Sequence, residues 1–247
     1  MLKNFLKSHP MHKSIVPYLD IIMISRLTLF FGVWVMICIG MYIGSIINNN
    51  VYINATDIDF LTCILFLGIS LVCGSVFITN QLYDINKENG NVSIIGNHVS
   101  IDKAIKINRA LWIIGFLIIA LVDYIVLLPI ILIFIVCGKL YTSEKLSIKD
   151  NQWMNFLFYL NFGYLLMLSG IFYNRYDSKI LDLIIESTPY MIPFLLSYGA
   201  VILVINILDL KSDKASRRRT FALSLGVGVV SISSGFLCLS SFLIRLY

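Results

Sequence analysis

Charge is scarce in this chain. Only 13% of its 247 residues are charged, about half of the roughly 25% usual in a soluble domain. By contrast, 58% are hydrophobic, and the mean hydropathy is +0.86. That shortage excludes an ordinary water-soluble globule, and the hydrophobicity excludes a disordered chain. Cysteine supplies no framework either. Cys38, Cys63, Cys73, Cys137 and Cys238 all fall in apolar runs, and none forms a CxxC pair. A disulfide-stapled module and a cysteine metal site are excluded, and the five read as small buried hydrophobes. The three histidines, His9, His12 and His98, sit in polar segments and suggest no triad. The first twenty residues lack an apolar core followed by a small-residue cleavage site, so no signal peptide is expected. Nor is there the ten-residue alternation of a membrane β-barrel.

Long apolar runs are what the chain does have. They lie at Leu27–Ile47, Phe60–Thr79, Ala110–Leu140, Met154–Tyr173, Met191–Leu208 and Phe221–Tyr247. Each approaches or exceeds the roughly 20 residues that a helix needs to cross a bilayer. The third run reads either as one helix with Asp123 at mid-membrane or as a hairpin that turns at Asp123. A carboxylate at mid-membrane is costly. Loop charges decide between the two. With the hairpin there are seven crossings, and sixteen of the 19 basic residues share the side of the N-terminus. Without it the split is eleven against eight. The positive-inside rule favours the hairpin. The net charge of +5 is then a topology signal and not a nucleic-acid footprint. The expectation is an all-α, polytopic membrane bundle of about seven helices. Residues 1–247 form one domain, with 1–20 a cytoplasmic N-terminal segment and the N-terminus inside.

Two acidic motifs stand out at helix ends. The second run closes on Asn80-Gln-Leu-Tyr-Asp84-Ile-Asn-Lys-Glu88, and the sixth on Asn206-Ile-Leu-Asp209-Leu-Lys-Ser-Asp213. In each, two carboxylates lie four residues apart and so on one face of a helix. Like charges at that spacing repel unless a cation sits between them. Mg²⁺ suits such a site, because it takes a few carboxylates plus phosphate oxygens and water. Under the seven-span topology both motifs are cytoplasmic. Opposed acidic pairs beneath a lipid-facing bundle suit a ligand with a diphosphate head and an apolar tail.

These residues resemble the UbiA superfamily of intramembrane prenyltransferases. Its first signature, close to Asn-x-x-x-Asp-x-x-x-Asp, is matched by Asn80, Asp84 and Glu88. Its second, Asp-x-x-x-Asp followed by Thr and Gly, is matched by Asp209, Asp213, Thr220 and Gly226. The stretch Gly96-Asn-His-Val-Ser100-Ile-Asp-Lys-Ala104 is similar to the family's start of the third helix. Tyr141-Thr142 and Lys145 are similar to its motif after the fourth. The resemblance implies Mg²⁺-dependent transfer of a prenyl group from a prenyl diphosphate to an aromatic or lipid acceptor. It implies Asn80, Asp84, Glu88, Asp209 and Asp213 as the metal site. Lys145 is then a diphosphate contact, and Tyr141 either bonds the diphosphate or sits near the reacting carbon. Asn161, a polar residue inside the fifth crossing, is a candidate cavity contact, with a helix–helix hydrogen bond slightly preferred. Arg26 reads as a family arginine or a snorkelling anchor.

Three departures from the family pattern are visible. Nine crossings are usual, so the expectation is a bundle without the last two helices, its open wall closed by lipid, a second copy or a partner subunit. No Arg-Pro pair follows the first motif. Glu88 replaces Asp, and Arg217 stands where Gly is usual. Two other functions stay open at this point: a terpene cyclase of the same type, and a non-catalytic membrane protein that binds a lipid diphosphate.

Overall fold

The protein is described by a computed structural model over residues 10–47, 58–87, 95, 99–143, 148, 151–173, 179–215 and 219–246. Helix α1 (Pro10–Ile24) leads through a 3-10 turn (Leu27–Leu29) into α2 (Phe30–Ile47). Then come α3 (Phe60–Lys87), α4 (Ile101–Val122) and α5 (Leu127–Leu140), whose second half, Phe134–Leu140, is π-helical. They are followed by α6 (Gln152–Tyr173), α7 (Ile180–Leu208), the short α8 (Leu210–Ala215) and α9 (Phe221–Ser224), and α10 (Val227–Leu246). Among the described residues there is no strand; Ile95 and Val99 form one isolated bridge. Among the described residues six helices are long and apolar enough to span a membrane, and α5 is a shorter apolar helix.

Local chemistry explains the helix ends. Asp59 accepts from the Thr62 N–H at 2.7 Å and from its hydroxyl at 2.6 Å, which caps α3. Ser100 precedes α4, and its hydroxyl accepts from Lys103 N–H. The long third run is a hairpin. Val122 ends α4, Asp123 is extended, and its carboxylate accepts from Ile125 N–H at 2.9 Å. That short side-chain bond turns the chain back into α5. The last run also divides, at Gly226, whose φ of +86° is costly for a residue with a side chain.

Two spans differ from their apolar runs. Helix α3 continues through Asn80–Lys87, because polar residues can stay helical once past the bilayer. Helix α7 begins at Ile180 and carries Pro189 and Pro193 inside it. The cysteines also part company. Cys73 and Cys137 are buried, but Cys38, Cys63 and Cys238 are exposed. An apolar run in a membrane bundle has a lipid face, so hydrophobicity does not place a residue in the core.

The core centres on the second half of α6, where Leu165–Phe172 are all buried. Helix α2 crosses it so closely that a Cβ on Gly40 would overlap the Met167 carbonyl. One on Gly170 would overlap the Ile37 carbonyl. Helices α3 and α4 pack together at Gly68 and Gly115. Helix α10 is stitched to α7 by Ser234, which donates to the Ala200 carbonyl at 3.1 Å, and by Ser241, which donates to the Pro193 carbonyl at 2.6 Å.

Side-chain bonds identify the two ends of the bundle. At one end, Thr62 meets Tyr173 at 3.2 Å, joining the start of α3 to the end of α6. At the other, Gln81 reaches the end of α1, Asn108 reaches Thr79, Tyr141 reaches Asn155, and Gln152 bonds Ser224. The ends of α3 and α7, with Asn80, Asp84, Asp209 and Asp213, lie at this second end.

Candidate active site

Helix α3 has 28 residues and is about 42 Å long, roughly 12 Å more than the hydrocarbon core. Its final turns therefore stand clear of the apolar layer. Asn80 and Asp84 lie one turn apart there, both half-buried. Glu88, the third member of this motif, lies outside the described residues. A polar network fixes the rotation of α3. Ser75 donates to the Asn108 amide oxygen at 2.5 Å, and the Asn108 amide donates to the Thr79 hydroxyl at 2.9 Å. Thr79 in turn donates to the Ser75 carbonyl at 2.9 Å. One residue beyond Asn80, Gln81 donates to the Ile24 carbonyl.

The π-helical end of α5 delivers Tyr141. Its N–H donates to the Val136 carbonyl, five residues back, at 2.9 Å. This wider turn places the side chain against α6. The hydroxyl donates to the Asn155 amide oxygen at 2.7 Å, and the ring lies 5.6 Å from that of Phe158 and 6.2 Å from that of Tyr159. Tyr141 is buried. Lys145 lies outside the described residues.

The second motif spans the joint between α7 and α8. Asp213 N–H donates to the Asp209 carbonyl at 2.9 Å, so the helical turn continues and the two carboxylates stay one turn apart. Asp209 is exposed, whereas Asp213 is only 6% exposed. Thr220, at the start of α9, is 5% exposed, and its hydroxyl has no hydrogen-bond partner among the described residues. Helix α9 packs against α8, so this buried, unsatisfied hydroxyl belongs to the same neighbourhood. The first half of α6 links it to Tyr141: Trp153 and Phe156 hold Phe221 at 4.8 and 5.9 Å between ring centroids. Asn161, further along α6, is exposed and makes no helix–helix hydrogen bond among the described residues.

The motifs share an end of the bundle without merging. Helix α3 packs mainly on α4, and α7 on α6 and α10. Among the described residues no three His, Cys, Asp or Glu side chains come close enough to cage a metal. Mg²⁺ does not need a cage; one or two carboxylates plus substrate phosphate oxygens suffice. The donors present are hard oxygens, which fit it. A buried hydroxyl left unsatisfied costs about 1–3 kcal/mol, and among the described residues nothing satisfies that of Thr220. Asn155, Asn108 and Thr220 acquire their places only through the fold. The polar residues Gln152 and Asn155 at the start of a span were the available signal for the first of them.

No family model matches the sequence, and no curated protein matches it. Among solved structures the chain is similar to digeranylgeranylglyceryl phosphate synthase, a membrane prenyltransferase of the UbiA superfamily. The TM-score is 0.59 at 16% identity, over 92% of this chain and 76% of that one. Likeness at that identity is likeness of fold. This chain therefore shares the all-helical fold of that synthase.

Proposed function

We propose that this protein transfers a prenyl group from a prenyl diphosphate to a hydrophobic or aromatic acceptor within the membrane. The observation that supports the reading is that Asn80, Asp84, Asp209 and Asp213 share one end of a bundle whose fold is similar to that of a prenyl-lipid synthase. We place that end and the N-terminus in the cytoplasm, because the basic residues gather there.

In the reaction the allylic C–O bond breaks, and its electron pair leaves with the diphosphate. The acceptor then attacks the carbon and loses a proton. Asp84 and Glu88, with Asn80, form one Mg²⁺ site, and Asp209 and Asp213 the other. An ion held there would supply positive charge to the leaving diphosphate. Lys145 adds positive charge on the same side. The Thr220 hydroxyl, without a partner among the described residues, donates to a diphosphate oxygen. Tyr141 has its proton committed to Asn155. It serves through its ring, which with Phe158 and Tyr159 offers π faces to the developing cation. The exposed Asn161 amide is available to a polar group on the acceptor.

The test is incubation of the protein in nanodiscs with prenyl diphosphates of graded length, with and without aromatic acceptors and Mg²⁺, followed by mass analysis. The expected result is diphosphate release and a prenylated product, both dependent on Mg²⁺ and acceptor. Release with a cyclic hydrocarbon and no acceptor identifies a cyclase. Mg²⁺-dependent binding without turnover identifies a binding protein. Either outcome overturns the proposal.

A further inference from the structure

Helix α1 is apolar on two sides. Ile24 is fully buried and packs with Ile78, Val99 and Ala104, while Ile21 joins the same cluster. Tyr18, Leu19, Ile22 and Met23 lie on the other side of the helix. They are exposed, Tyr18 by 71% and Met23 by 57%. A helix lying in water keeps one apolar stripe and covers the remainder with polar groups. The outer side of α1's last two turns has no such cover.

The depth of this helix follows from α3. The Ile24 carbonyl, at the end of α1, accepts from the Gln81 amide at 2.5 Å. Gln81 lies twenty-one residues after Phe60, the start of α3, a rise of about 32 Å that matches the roughly 30 Å hydrocarbon core. The end of α1 therefore sits at the boundary of that core. The chain turns there. Arg26 is left-handed, with φ 54° and ψ 53°, a conformation costly for a residue with a side chain. The Ser25 hydroxyl closes the helix by donating to the Ile22 carbonyl at 2.6 Å. Helix α2, of 18 residues and about 27 Å, fills most of the bilayer core alone. Helix α1 is thus not more of the same span. Beyond the turn, Leu27, Leu29 and Phe31 are exposed on the lipid side of the span, so the outer face of α1 is continuous with a lipid-facing surface.

We propose that α1 is an interfacial helix whose face of Tyr18, Leu19, Ile22 and Met23 docks into the headgroup–acyl boundary of phospholipid, at the end of the bundle that carries the acidic motifs. Its anchor, Gln81, adjoins Asn80, so the seating of α1 in the bilayer also braces the end of α3. This inference stands independently of the catalytic reading.

The experiment is spin labelling in nanodiscs of phosphatidylcholine mixed with phosphatidylglycerol. Cys38, Cys63 and Cys238 are replaced by serine, and single labels are placed by Tyr18→Cys, Met23→Cys and Asp102→Cys, the last an exposed position at the start of α4. Collision with oxygen and with a water-soluble nickel chelate gives depth. Labels at 18 and 23 are expected about 5–10 Å below the headgroup surface, with oxygen favoured, and the label at 102 in water. Labels at 18 and 23 as accessible to the chelate as that at 102 overturn the proposal. So does protection from both reagents at 18 and 23, which means that protein and not lipid covers the face.

Discussion

Replacing Gly40 by alanine should drive α2 away from α6. A Cβ there overlaps the Met167 carbonyl, and the reciprocal change at Gly170 overlaps the Ile37 carbonyl and approaches the Met41 nitrogen. All three obstacles are backbone, so no rotamer change relieves them. The helices must separate, which loosens Ile37, Met41, Leu166 and Met167, all at the centre of the core. Overpacking of this kind costs about 1–3 kcal/mol, offset by up to about 1 kcal/mol from the better helix propensity of alanine. The net loss is about 0–3 kcal/mol, or up to roughly 12 °C in the unfolding midpoint for a chain of this size. Gly228 and Gly235 provide the control, because nothing lies within 4 Å of a Cβ at either. Gly235→Ala should leave the midpoint unchanged or raise it. The assay is thermal unfolding in detergent followed by tryptophan fluorescence. Gly40→Ala and Gly170→Ala combined should cost less than the sum of the two, since once the helices part the second Cβ meets less. A Gly40→Ala protein as stable as Gly235→Ala refutes the close crossing.

Other consequences follow from single contacts. Asn108→Leu should cost about 1–3 kcal/mol in the same melt, because it strips Ser75 and Thr79 of a partner; adding Ser75→Ala should recover part of it. Tyr141→Phe keeps the ring and should retain most diphosphate release. Tyr141→Ala should lose roughly 30-fold, the equivalent of a desolvated cation–π contact of about 2 kcal/mol; equal losses would assign the work to the hydroxyl. The Thr62 hydroxyl and N–H hold the Asp59 carboxyl below its ordinary value. A lowered native value stabilises the fold above the unfolded value and is lost as pH falls through the native one. The midpoint should therefore drop as pH falls below about 4, with that dependence weakened in Asp59→Asn.

How much of this was legible before the fold was known differs from element to element. The hairpin at Asp123 was legible, because a mid-membrane carboxylate and the loop charges both opposed a single helix. The polar extension of α3 to Lys87 and the start of α7 at Ile180 were not, because hydropathy marks the membrane and not the helix. Helix α1 was hidden for a related reason: its apolar residues are interrupted by Pro17 and Asp20 and form no run. At the candidate site the paired carboxylates were legible from their i, i+4 spacing alone, which any helix honours. Asn108 beside Thr79 is a tertiary fact with no local pattern to announce it; for Asn155 the signal was only a polar start to a span, and for Thr220 a motif position that says nothing of its burial. Nor does a polar residue in a span declare its surroundings: Asn161 is exposed and, among the described residues, lacks the interhelical bond favoured from sequence.

The central claim is that the two acidic motifs act on one diphosphate, and release of diphosphate under Mg²⁺ titration tests it most directly. Asp84→Asn and Asp209→Asn, each nearly isosteric, should each lower release by about 100-fold or more while leaving the unfolding midpoint near that of the parent. Full release by either variant, with the parent active in the same nanodiscs, contradicts the account.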